Sequence, residues 1–159
     1  MMKWRTVLSL CAIAVLGLAA PPDNAIAQEA ELEGVKAASN AFYAALMAKD
    51  RSEAMKKVCA PKPYVTYVGP SSKTITVGWE NLSKYWPKTE ARFSKIDVTL
   101  SNQHLHRNGN LAWEMGQESG TITFTDGREG KIDYLVTNVY EKLDGRWHMV
   151  SHHVQRKPQ

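Results

Sequence analysis

The chain is poor in cysteine. Of its 159 residues only Cys11 and Cys59 carry a thiol, and Cys11 falls within an N-terminal apolar run that has the features of a removable leader. Without that leader Cys59 stands alone, so an internal disulfide is excluded. Its place at the end of a predicted helix suits a small buried side chain better than a reactive thiol. Long apolar runs are missing too. The longest, Val7 to Ala20, has 14 residues, against the ~20 that a membrane-spanning helix needs. Charge of one sign is scarce: the formal net charge is +4, and the basic residues are scattered, with short pairs only at Lys56-Lys57 and Arg156-Lys157. A nucleic-acid groove wants such residues clustered, so no nucleic-acid partner is expected. The chain has no phosphate-binding loop, no nucleophile elbow, no recognisable Ser/His/Asp motif, no internal repeat and no low-complexity segment.

What is present begins with the leader. A basic start (M-M-K-W-R), the apolar run and Ala25-Ile26-Ala27 before Gln28 describe a secretory signal peptide over residues 1–27. Cleavage after Ala27 would place a single domain, residues 28–159, in the periplasm or outside the cell, with no membrane attachment. A lipoprotein signal at Cys11 is disfavoured, because Leu10 is bulky and Cys11 lies inside the apolar run.

Residues 28–50 read as a helix, with Val35, Ala38, Phe42, Ala45 and Leu46 at helical spacing. Asp50 is placed to cap a second helix at 51–59, with Glu53 as its capping-box partner. Pro61 and Pro63 end it. Short strands follow at 64–68 and 74–77, then a third helix at 79–86 that Pro87 interrupts. Periodicity then changes to two. Strands at 96–106 and 111–124 flank a turn at Asn108-Gly109, which would pair His106 with Leu111 and His104 with Trp113. A bulge in strands this long would exchange their faces beyond it. The closing hairpin turns at Asp144-Gly145. Its simplest register pairs Tyr140 with Met149, Asn138 with Ser151 and Val136 with His153, leaving Thr137 with His152 on the other face. Helices followed by long strands indicate an α+β fold.

This order, and the words F-Y-A-A-L-M-A-K-D at 42–50, V-G-W-E-N-L-S-K-Y-W at 77–86, L-A-W-E-M-G at 111–116 and D-G-R-W-H-M-V-S-H-H at 144–153, resembles the nuclear transport factor 2-like superfamily, particularly its SnoaL-like branch. The resemblance implies a cone-shaped, curved antiparallel sheet packed on three N-terminal helices, an internal pocket and, through the convex face, a homodimer. The scaffold hosts isomerases, cyclases, hydrolases, binding modules and assembly domains, so the fold alone does not give the function. Ketosteroid isomerase uses a first-helix tyrosine and a strand aspartate. Phe42 stands at the tyrosine position here and Val65–Gly69 holds no carboxylate, which argues against that mechanism. The closing segment is also similar to the association domain of calcium/calmodulin-dependent kinase II, with Ser151 in place of one histidine and His153 keeping the other.

On the simplest register His153 shares a face with Ser151, Asn138, Tyr140 and Met149. An imidazole there could act as acid or base, so His153 and Tyr67 are the catalytic candidates. Tyr43, His104, Trp113, Met115, Asn138 and Ser151 are the candidate ligand-binding residues. Glu114 is expected to point away from His104, to solvent or a dimer face. His104 and His106 form an H-x-H pair, but no third ligand at suitable spacing accompanies it, so no metal and no cofactor is expected. The leading expectation is a pocket for a small apolar or aromatic molecule. The alternatives are an isomerase, cyclase or hydrolase using His153 for proton transfer, and a non-catalytic dimeric assembly protein.

Overall fold

The computed structural model describes residues 23–157, so residues 1–22 of the expected leader at 1–27 lie outside the described residues, and its last five begin the first helix. Helix α1 (Asp23–Met47) buries Val35, Ser39, Phe42, Tyr43 and Leu46, which fall on one helical stripe. Helix α2 (Arg51–Val58) starts at Asp50, whose carboxylate accepts from the Glu53 amide at 3.2 Å. The Glu53 side chain turns instead to Lys56, so half of the capping box forms. Cys59 caps the end of α2, buried, and burial pushes its thiol up to about 12.

Strands β1 (Thr66–Val68) and β2 (Thr76–Val77) form a small hairpin. The expected third helix is two: α3 (Trp79–Ser83) and α4 (Tyr85–Arg92). Pro87 does not interrupt the second, because it falls in the first turn, where its missing N–H would have no intrahelical acceptor. Four long strands follow: β3 (Phe93–Asn108), β4 (Leu111–Phe124), β5 (Glu129–Leu143) and β6 (Arg146–Arg156). They complete a six-stranded sheet in the order β2-β1-β6-β5-β4-β3. The sheet is mixed rather than purely antiparallel, since β1 runs parallel to β6, with Tyr67 beside His152.

Two of the hairpin tips, β5–β6 and β3–β4, depend on left-handed backbone. Asp144 and Gly145 take φ of 49° and 78°, as a type I′ turn requires. The β3–β4 turn lies one residue later than expected: Asn108 pairs with Leu111, and Gly109, at φ 58°, takes the first turn position. Gly120 in β4 allows a close approach that any side chain would block. A Cβ there would stand 2.0 Å from the Asp97 carbonyl oxygen.

Two bulges decide which residues face the concave core. In β3 the ladder shifts between Ser101 and His104, with Asn102 at φ 50°. Ile96 and Val98 are buried before the bulge, whereas Leu105 and Arg107 are the more covered residues after it. In β6 an extra residue, Val150, lies between the Tyr140–Met149 and Val139–Ser151 pairs. It turns His152 and Val154 inward and His153 outward. The Met149 carbonyl accepts from the Ala60 amide at 2.9 Å, so the chain after α2 is joined to β6 beside that bulge.

Candidate functional site

A polar network is enclosed between α1 and the concave face of the sheet. Glu114 and Glu118 project inward from β4, both buried, as are Ser39, Asn138 and Tyr140. Four donors converge on the Glu114 carboxylate. The Ser39 hydroxyl lies 2.8 and 3.0 Å from its two oxygens, the Asn138 amide 2.8 Å and the Tyr140 hydroxyl 3.0 Å from it, and Gln103 supplies the fourth. Glu118 receives one donor among the described residues, the Tyr43 hydroxyl at 2.9 Å. That hydroxyl accepts in turn from the Asn138 amide at 3.2 Å.

Asn138 joins this network to a histidine. Its amide nitrogen faces the Glu114 carboxylate, an acceptor, so its oxygen is the atom 2.7 Å from His152 Nδ1. An amide oxygen only accepts, so Nδ1 carries the proton and Nε2 keeps its lone pair. Burial, and secondarily the charge of His153, hold His152 down at about 3. The ring is therefore neutral across the physiological range. It is sandwiched between aromatic neighbours: Tyr67 stacks on it with centroids 5.0 Å apart, and Phe42 lies 5.1 Å away.

Beside the network is a cavity of about 290 Å³, at the small end of ligand pockets, which run roughly 300–1,000 Å³. Glu118, His152, Tyr67 and Tyr134 line it together with apolar walls that include Phe93, Ile132 and Val154. Desolvation is the main reason that the Glu118 carboxyl is pushed up to about 7, opposed by the Tyr43 hydrogen bond and helped by repulsion from Glu114. Burial also raises the Tyr67 and Tyr134 hydroxyls. The cavity thus combines an apolar space, one carboxyl held well above the usual carboxylate range, and a neutral imidazole whose Nε2 can only accept.

The residues singled out in the sequence divide into three groups. Tyr67 lines the cavity. Tyr43 and Asn138 stand behind it and hold Glu118 and His152 in place. The remaining five are elsewhere. His153 is exposed because the β6 bulge reverses its face, and His152 takes the place expected for it. His104, Trp113 and Met115 are exposed on the outer face, where His106 stacks on Trp113 at 5.5 Å. Ser151 accepts from Thr66 at 2.8 Å, where β1 meets β6. Glu114 is buried rather than solvated, because the β3 bulge brings the Glu114–Glu118 face of β4 onto the core side. Among the described residues no three His, Cys, Asp or Glu side chains converge as a metal site. Sequence reasoning did not single out Glu118 or His152, which the structure places on the cavity. The available signals were a strand with two carboxylates four residues apart and a His-His pair whose facing depends on one residue of register.

The fold and this enclosed site define a cone-shaped α+β domain with a polar network and a cavity on its concave side. The family model of the SnoaL-like domain matches residues 35–154, and the chain belongs to that family. A candidate dehydratase of the nuclear transport factor 2-like family from Streptomyces avermitilis superposes with a TM-score of 0.73 at 21% identity, covering 83% of this chain and 99% of that one. A candidate scytalone dehydratase from Novosphingobium aromaticivorans gives 0.74 at 12% identity, covering 84% and 89%. A candidate calcium/calmodulin-dependent protein kinase type II association domain from Thiobacillus denitrificans gives 0.65 at 25% identity, covering 77% and 94%. A search of the curated proteins found no match.

Proposed function

We propose that this protein is an exported, homodimeric enzyme that moves a proton on a small, largely apolar carbonyl compound, with Glu118 as its acid–base group. The observation that carries this reading is the Glu118 carboxyl, pushed up to about 7 and opening on the cavity. A group that is half ionised near neutrality can both take and return a proton. The carboxylate removes a proton from the carbon beside the carbonyl, and the C–H electron pair moves into an enolate. The electrons then form a new C–H bond with the proton from Glu118, an isomerisation, or expel a hydroxyl group that the same proton converts to water, a dehydration. Tyr67 donates to the enolate oxygen, and His152 Nε2 accepts from a substrate hydroxyl. The dehydratase names of two similar structures are consistent with this chemistry. His153, exposed on the other face, takes no part.

The test is deuterium incorporation, followed by NMR in D₂O, into aryl ketones and β-hydroxy carbonyl compounds that bind the protein. The parent is expected to exchange the proton beside the carbonyl at pH 7–8, the Glu118→Gln variant to bind without exchange, and His153→Ala to behave as the parent. Exchange that persists in Glu118→Gln, or bound ligands that never exchange, would overturn the assignment.

The dimer part rests on the outer face of β4 and β5, where Leu111, Trp113, Met115 and Leu135 are each more than 40% exposed. An apolar patch of that kind marks an association surface. Export rests on the leader ending at Ala27. Ile26 is 58% exposed and residues 26–30 bury nothing, so cleavage there would leave the core intact. N-terminal sequencing of the protein recovered from its host tests it.

A further inference from the structure

The mouth of the cavity is cationic. Arg92 at the end of α4, Lys131 in β5 and Arg156 in β6 all line it and are exposed, whereas the one carboxylate among the lining residues, Glu118, is buried. These cations differ in how far they are engaged. Lys131 reaches Asp133 at 3.2 Å. Arg92 lies over Phe93 and Phe124, with its guanidinium carbon 5.0 and 5.6 Å from the two ring centres. Among the described residues neither Arg92 nor Arg156 forms an ion pair. The aromatic faces hold the Arg92 guanidinium at the opening but leave its N–H groups free to donate in plane.

The geometry points to a substrate with an anionic group, a carboxylate or comparable oxyanion, at one end of a compact apolar body. The anion sits between Arg92 and Arg156, the body lies along Phe93, Ile132 and Val154, and the reacting carbon reaches Glu118. This inference rests on the proton-transfer reading and adds the substrate class and its orientation. A guanidinium offers a planar pair of donors that matches a carboxylate. The reverse orientation would bury the ligand's anion against Glu118, where like charges repel without water to screen them. The cationic mouth also raises the encounter rate for anions and lowers it for cations.

The experiment compares trans-cinnamate with its neutral amide, cinnamamide, by ligand-observed NMR titration of the full domain at pH 7.5. Cinnamate is expected to bind about tenfold more tightly, and the preference to shrink in 0.5 M NaCl. In the Arg92→Gln/Arg156→Gln double variant, which alters exposed side chains only, the preference should vanish while cinnamamide affinity is kept. Equal binding of the two probes by the parent, or a preference that survives the double variant, would overturn the anion inference and leave the cavity reading standing. Failure of both probes to bind the cavity would sink the two together.

Discussion

Glu118→Gln should change how stability depends on pH in a way that can be worked out beforehand. A carboxyl held at about 7 in the folded chain, against 4.5 as its ordinary value, retains a proton in the native state over a range where the unfolded chain has lost it. Stability therefore falls as pH rises from about 4.5 to about 7, by roughly 1.4 kcal/mol per pH unit and about 3 kcal/mol in all. His152 acts in the opposite sense. Its imidazole is at about 3 when folded and 6.5 ordinarily, so the unfolded chain binds the extra proton, and stability is lost as pH falls below 6.5. Between pH 4.5 and 6.5 the two slopes cancel in the parent.

The Gln variant removes one of them. Its stability should fall by roughly 1.4 kcal/mol per pH unit on acidification below 6.5, where these two groups leave the parent flat. The variant-minus-parent difference should rise by about 3 kcal/mol from pH 4.5 to 7 and level off above. All unaffected groups cancel in that difference. A constant offset remains, set by whether the new amide finds an acceptor, and it does not alter the slope. Urea denaturation of both proteins at half-unit intervals from pH 4.5 to 8 reads it directly. A difference that is level across this range, or that falls with rising pH, would mean that Glu118 is not destabilised as a carboxylate, and its acid–base role would go with it.

Asn138→Asp would set a carboxylate against His152 Nδ1 and raise the imidazole from about 3 toward its ordinary value; an NMR titration of the ring proton would follow it. Gly120→Ala would drive a methyl into the Asp97 carbonyl oxygen and should cost on the order of 3 kcal/mol, read as a lowered melting temperature. Met115→Glu, at a side chain 54% exposed on the outer face, should convert the proposed dimer to monomer in sedimentation experiments and leave the pH profile of stability unchanged.

The fold was legible because its signals are redundant. Strand alternation, the Asp144-Gly145 turn and the Asp50 cap each fix one piece of backbone, and several resembling words in one order fix their arrangement. The site was less legible because it rests on two single-residue events. Alternation has a period of two, so one unpaired residue moves every later side chain to the other face. Val150 does this to His152 and His153. Neither a glycine nor a proline marks it; it lies where β6 leaves its contact with Ala60 and begins to pair with β1. The β3 bulge was foreseeable as a type but not in position. Asn102 can adopt its positive φ, as asparagine does more readily than most residues, yet other polar residues in that strand gave no contrast. Tyr43 and Asn138 are buried, since they lie on α1 and β5, where neither bulge acts on their facing.

Glu114 and Glu118 show why neighbouring residues of one type take separate roles. Both leave β4 on the same face and both are buried. Glu114 meets four donors, from α1, β3 and β5, and does not line the cavity. Glu118 meets one donor and lines it. A carboxylate whose oxygens are already occupied by protein donors is structural, because a substrate proton has no lone pair to reach. One that is desolvated, singly bonded and open to the cavity has both the lone pair and the proton affinity. The Glu114 charge then contributes from behind, raising its neighbour. The same shell fixes the orientation of Asn138 and through it the tautomer of His152. The four-donor cluster therefore fixes the sparsely bonded residues in front of it, which on the proposed reading leaves them free for proton transfer, and the division follows from donor supply rather than from residue type.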